Sequence, residues 1–166
     1  MNFREFFSTE DYVRTIGIIT ANNPQGRKLT RSQNYDLNRS LLEDLKANSS
    51  GTTSLRGSYG GNIENAFAVV NIPRGKLIEF ADKYNQKSII FGFVRYKDQY
   101  PYIQFQYLEN GKIKEQKASD FFIPIMRTAK DFLEAIKEGE FEFPFFEVEP
   151  EKHQEQPPPD GDYLNS

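Results

Sequence analysis

Residues 16–45 read IGIITANNPQGRKLTRSQNYDLNRSLLEDL, and the change of pattern inside them decides the fold. Gly17 to Thr20 are small or β-branched, as a buried strand wants. Ala21, Asn22, Asn23, Pro24, Gln25 and Gly26 are turn formers from end to end. Thr30 stands three residues before Gln33, the spacing of a capping box, and opens a helix. Along that helix Tyr35, Leu37, Asn38, Leu41, Leu42 and Leu45 recur at helical spacing. Asn34 and Asn38 stand four residues apart on one face.

Working outward, residues 2–14 carry Phe3, Phe6, Phe7 and Tyr12 and predict a short amphipathic helix packed on the body. Residues 54–59 read as a short strand closed by Gly60 and Gly61, and residues 65–72 as a strong one. Pro73 opens a second helix over 74–84, with Leu77, Ile78, Phe80 and Ala81 inward. Residues 88–96 form another buried strand. This order predicts an α+β fold with a ferredoxin-like or similar βαββαβ core. Residues 102–108, the Asn110-Gly111 turn and residues 112–117 add a hairpin. A third helix spans 128–138, with Phe132, Leu133 and Ile136 inward and Gly139 as its stop. The expected organisation is one domain over 1–148 and a disordered, acidic, Pro-rich tail over 149–166.

A chain of 166 residues has room for one domain with a real core. It has no cysteine, which removes disulfides, thiolate metal sites and cysteine nucleophiles. The one histidine, His153, lies in the polar tail, so histidine-based zinc sites and Ser-His-Asp chemistry are disfavoured. No acid pair stands at metal-site spacing, and neither a metal nor a cofactor is expected. No apolar run reaches membrane-spanning length and no signal peptide opens the chain, so a cytoplasmic protein without a membrane partner is expected. Charge is uneven. Up to Gly139 there are 20 basic against 16 acidic residues, and from Glu140 on one against eight, so a body of +4 carries a tail of −7.

The turn at 21–26, leading into a helix start, is a receptive place for an anion, with Arg27, Lys28 and Arg31 beside it. Its spacing is neither a Walker A loop nor a dinucleotide fingerprint; the plain alternative is an ordinary strand–helix loop. Glu64, at a strand start, could serve as a base or hold a ligand hydroxyl, or be a solvated edge residue. The candidate ligand-binding set is therefore Thr20, Asn23, Arg27, Asn34, Asn38, Glu64 and Gln86, converging on one cleft for a small polar ligand or nucleotide. Enzymatic activity is left open.

Two further motifs give different classes. Phe91-Gly92-Phe93-Val94-Arg95-Tyr96 matches the later half of an RNA-recognition-motif signature, in which strand aromatics stack on bases. It makes Phe91, Phe93, Arg95 and Tyr96 the alternative nucleic-acid set, against the simpler reading of an aromatic core strand. The +4 body supports weak nucleic-acid binding at most. Phe141, Phe143 and Phe145 alternate with Glu140, Glu142 and Pro144, and Phe146 follows. They suit a packed edge strand, a protein partner, or an acidic stretch that folds back on the basic body.

Thr20-Ala21-x-Asn23-Pro24, Asn34 and Asn38 on a helix, Gly60 before Glu64 and Phe67, and Tyr84-Asn85-Gln86-x-x-Ile89-Ile90 form an ordered set. Through it, roughly residues 16–93 resemble the small bacterial and bacteriophage family called domain of unknown function 3293. The resemblance implies no known reaction. A Phe-rich start ahead of this domain also looks like versions in tailed phages, which implies a phage-encoded protein of the host cytoplasm.

Overall fold

The computed structural model describes residues 12–24, 27–58, 63–119 and 128–149. Among these the fold is α+β, with three helices and a seven-stranded sheet. The strands are β1 (Thr15–Ile19), β2 (Gly51–Ser58), β3 (Glu64–Val70), β4 (Ser88–Lys97), β5 (Tyr100–Glu109), β6 (Lys112–Ala118) and β7 (Glu147–Val148). The helices are α1 (Arg31–Ala47), α2 (Arg74–Lys83) and α3 (Ala129–Lys137). The sheet order is β6-β5-β4-β1-β3-β2-β7, and every neighbouring pair is antiparallel.

Two of the helices start where a side chain takes up an orphan backbone donor. Thr30 caps α1 in a complete capping box: its hydroxyl accepts from Gln33 N, and Thr30 N donates to Gln33 Oε1. Thr128 caps α3 by accepting from Asp131 N. Pro73 precedes α2 without a side-chain cap. At the far end of α2, Asn85 takes φ +53°. Asn85 N then donates to Asp82 O and Gln86 N to Ala81 O, a Schellman closure that fixes where Gln86 points.

The period of two along each strand sorts the core into two layers. Ile19, Phe67, Val69, Ile89, Phe91 and Leu108 face α1 and α2, meeting Leu41, Leu45, Leu77 and Phe80. Ile16, Ile18, Leu55, Ala66, Ala68, Val70, Ile90, Ile103 and Phe105 face the other way. There they meet Phe132 and Ile136 of α3 with Phe141, Phe143 and Phe146. Gly17 allows the close approach of α2 to β1, since a Cβ there would stand 2.7 Å from Leu77 Cδ2.

Some boundaries differ from expectation. Tyr12 is extended and forms an isolated antiparallel bridge with Thr128, so it is not the end of a helix; the rest of the proposed N-terminal helix lies outside the described residues. Strands β4 and β5 pair directly through a two-residue turn, Asp98 and Gln99, at φ +51° and +72°. No glycine signals this turn. The Asn110-Gly111 hairpin forms with both residues at positive φ, as a two-residue turn requires. The segment after α3 is not one continuous strand. Phe141 and Phe143 turn into the core, Phe145 adopts φ +70°, and only Glu147–Val148 pair with the edge of β2. Gly60, Gly61 and residues 150–166 lie outside the described residues.

Candidate cationic cleft

Strand β1 ends at Ile19, and its last pairings bring the chain between β3 and the start of α1. Beyond the last pairing of β1, residues 20–24 have no sheet or helix ladder to satisfy their backbone, so side chains must do so. Thr20 Oγ1 donates to Asn65 O at 2.5 Å and accepts from Asn22 N at 3.0 Å. Ala21 N donates to Asn38 Oδ1 at 2.8 Å, and Asn23 N to Asn34 Oδ1 at 2.8 Å. The amide nitrogen of Asn34 donates to Asn23 Oδ1 at 3.0 Å, and that of Asn38 to Asn22 Oδ1. Asn23 Oδ1 also accepts from Leu29 N at 2.9 Å. Gln86 Nε2 reaches from the end of α2 to Asn22 O at 3.0 Å.

The amides of α1 thus read the loop backbone rather than open space. Thr20, Asn22, Asn34 and Asn38 are buried, and buried amides are stable when paired in this way. Five of the seven sequence-selected residues, Thr20, Asn23, Asn34, Asn38 and Gln86, join one network. Its missed member is Asn22, whose place between Asn38 and Gln86 had no signal beyond its turn-forming type. Arg27 donates its backbone N–H to Pro24 O at 3.0 Å, outside this network, and is exposed.

The network forms one wall of a cleft of about 730 Å³ between α1, the 20–24 loop and the surface of β2 and β3. Lys28, Arg31, Arg39 and Arg56 line it, with Tyr35, Leu42, Ser54, Ile63, Asn65 and Phe67. Among the described residues no carboxylate lines it. The first turn of α1 also holds no acid. Cations there oppose the positive end of the helix dipole, a mismatch that a bound anion relieves. Tyr35 and Ile63 are exposed apolar surface at this place. Arg56 spans the rim: Nη1 donates to Asn65 Oδ1 at 3.1 Å and Nε pairs with Glu149 Oε2 at 2.8 Å.

Glu64 is not part of this cleft. It shares its strand parity with Ala66, Ala68 and Val70, all in the core layer under α3. Its register partner is Gly57, where an added Cβ would meet the Phe146 ring. Burial pushes the Glu64 carboxyl up to about 7, and Oε2 has no hydrogen-bond partner among the described residues. Asn65 and Phe67, one residue to either side of Ala66, face the cleft.

A polar cluster ties α1 to α2. Tyr84 Oη donates to Asp44 Oδ2 at 2.7 Å and stands 2.8 Å from Ser40 Oγ, while Lys83 Nζ pairs with Asp44 Oδ2 at 2.8 Å. Burial raises the Asp44 carboxyl, but the bonds from Lys83 and Tyr84 outweigh it and the net shift is downward.

The alternative aromatic set does not form one platform. Phe91 is buried under the helices, stacked on half-buried Phe93 with ring centroids 6.2 Å apart. Arg95 shares their strand parity, whereas Tyr96 has the opposite parity and is exposed. In the C-terminal segment, Phe141, Phe143 and Phe146 are buried in the protein's own core. Phe141 meets Phe132 at 5.4 Å and Phe143 at 4.9 Å, and Phe145 meets Tyr107 at 5.8 Å. No helix among the described residues is long and apolar enough to cross a membrane.

Residues 19–89 match the family described as Protein of unknown function (DUF3293), and over that stretch the chain resembles it. The match covers β1's end, α1, β2, β3, α2 and the start of β4, which together carry the loop network and the cleft. No curated protein and no solved structure matches the chain.

Proposed function

We propose that the cleft beside α1 binds a small phosphate-bearing ligand of nucleotide type. The observation that carries this reading is the lining: among the described residues four cations and no carboxylate line a volume of about 730 Å³, with Arg56 alone paired to a rim carboxylate in the ion pairs described above. A phosphate group suits Lys28, Arg31 and Arg39, with guanidinium groups offering paired donors. The exposed Tyr35 ring offers a stacking surface for a base, and Asn65 and Ser54 are polar groups able to orient it. The amide network supports the reading in a different way from the sequence expectation. It keeps the 20–24 loop shaped, and the ligand contacts fall to the cations around it.

The strand order β4-β1-β3-β2, with α1 and α2 covering one face, supports a ferredoxin-like reading of the core. The cleft then sits at one end of the first strand–helix unit. Among the described residues the lining supplies no carboxylate or imidazole to act as a general base, so the reading is of binding and not of a reaction.

Calorimetric titration of the full chain tests it, with ATP against adenosine. Saturable ATP binding that weakens with salt, and much weaker binding of adenosine, is the expected result. Equal affinity for the two would remove the phosphate from the reading.

A further inference from the structure

We infer that the acidic C-terminal segment, residues 150–166, occupies the cationic cleft and competes with its anionic ligand. The inference rests on the cleft's being an anion site, and it adds how that site is regulated.

The place where the described chain ends carries the argument. Strand β7 lies antiparallel on the edge of β2. Just after it, Glu149 N donates to Arg56 O at 2.7 Å, and Glu149 Oε2 pairs with Arg56 Nε at 2.8 Å. Arg56 is itself a wall of the cleft. The described chain therefore ends at the rim, with one carboxylate already on one of the four cations. Glu149 is nearly buried in that contact, its side chain 12 % exposed.

The rest of the chain is complementary to the cleft in charge. Residues 150–166 hold Glu151, Glu155, Asp160 and Asp162 against Lys152 alone. Glu155 lies six residues past Glu149 and reaches up to about 20 Å, at roughly 3.3 Å per extended residue. That is ample to cross a cleft of about 730 Å³. A tethered segment acts at a high effective concentration, so weak carboxylate contacts suffice to oppose a free ligand.

The test uses the full chain and a full-length variant with a neutral tail, Glu151→Gln, Glu155→Gln, Asp160→Asn and Asp162→Asn. ATP affinity is measured for both, and backbone amide resonances of residues 28–39 are compared without ATP. Each exposed charge contact contributes only weakly, so the four together should tighten ATP binding about five-fold when neutralised. The resonances of residues 28–39 should also move. Equal affinities with unmoved resonances overturn the inference while ATP binding itself stands. A changed affinity with unmoved resonances also overturns it, since general repulsion then suffices. Moved resonances with no ATP binding by either chain support tail occupancy and overturn the ligand reading. No binding and no movement overturn both.

Discussion

Gln86 Nε2 donates to Asn22 O at 3.0 Å across 64 residues of chain. This bond fastens the loop after β1 to the end of α2, and the Schellman closure around Asn85 sets its direction. Gln86→Ala should cost about 1 kcal/mol of stability, the net worth of one such bond. Amide exchange at Asn22 and Asn23 should accelerate while that in β3 stays slow. Denaturant unfolding and hydrogen exchange measure the two effects.

Asn38 should matter more. Its Oδ1 accepts from Ala21 N and its Nδ2 serves Asn22 Oδ1, all in a buried setting. Asn38→Leu strands both loop groups without partners, at about 1–3 kcal/mol each. Its destabilisation in denaturant titrations should exceed that of Gln86→Ala at least two-fold.

Glu64 makes stability depend on pH in an unusual sense. Its folded pKa of about 7 lies above the ordinary value of 4.5. Below pH 4.5 both states hold the proton; between 4.5 and 7 the folded state holds it and the unfolded state has lost it. This group's contribution therefore falls as pH rises through that window and stays lowered above it. The full shift would correspond to roughly 3 kcal/mol, which water access to a partly exposed side chain cuts to about 1–2 kcal/mol. Glu64→Gln should recover that amount at about pH 8 and change little at about pH 4. Thermal unfolding of both proteins across pH measures the difference, and parallel curves would contradict it.

The cap on α1 offers a simpler check. Thr30 accepts from Gln33 N while Gln33 returns a bond to Thr30 N. Thr30→Ala should cost about 1 kcal/mol. Because α1 carries Tyr35 and Arg39 into the cleft, fraying of its first turn should also weaken ATP binding. Unfolding and calorimetry read the two consequences separately.

Local chemistry made much of this legible. The Thr30–Gln33 spacing marked the start of α1, and Asn110-Gly111 marked the β5–β6 turn, because each is set within four consecutive residues or fewer. The Asp98–Gln99 turn was not legible, since neither residue favours positive φ as glycine does. Thr20, Asn23, Asn34, Asn38 and Gln86 were grouped from their places at a strand end, in a loop, on the first turns of one helix and just past the end of another. Their saturation by one another was not legible, because partner choice depends on a three-dimensional arrangement that spacing does not specify. Glu64 illustrates a signal present but unused: counting by two along ENAFAVV already puts Glu64 and Phe67 on opposite faces. The cleft's cations come from a loop, one helix face and a distant strand, and only the fold brings Arg56 to Lys28 and Arg39.

On the reading proposed above, Lys28 and Arg39 hold an anionic ligand in the cleft they line. Calorimetric ATP titration of Lys28→Gln/Arg39→Gln, beside Lys114→Gln/Lys117→Gln on the exposed strand β6, tests it at equal change in net charge. The expected result is a loss of about ten-fold or more for the cleft pair, from two lost charge-assisted bonds, and little change for the β6 pair. Equal losses in the two variants, or none in either, would contradict it.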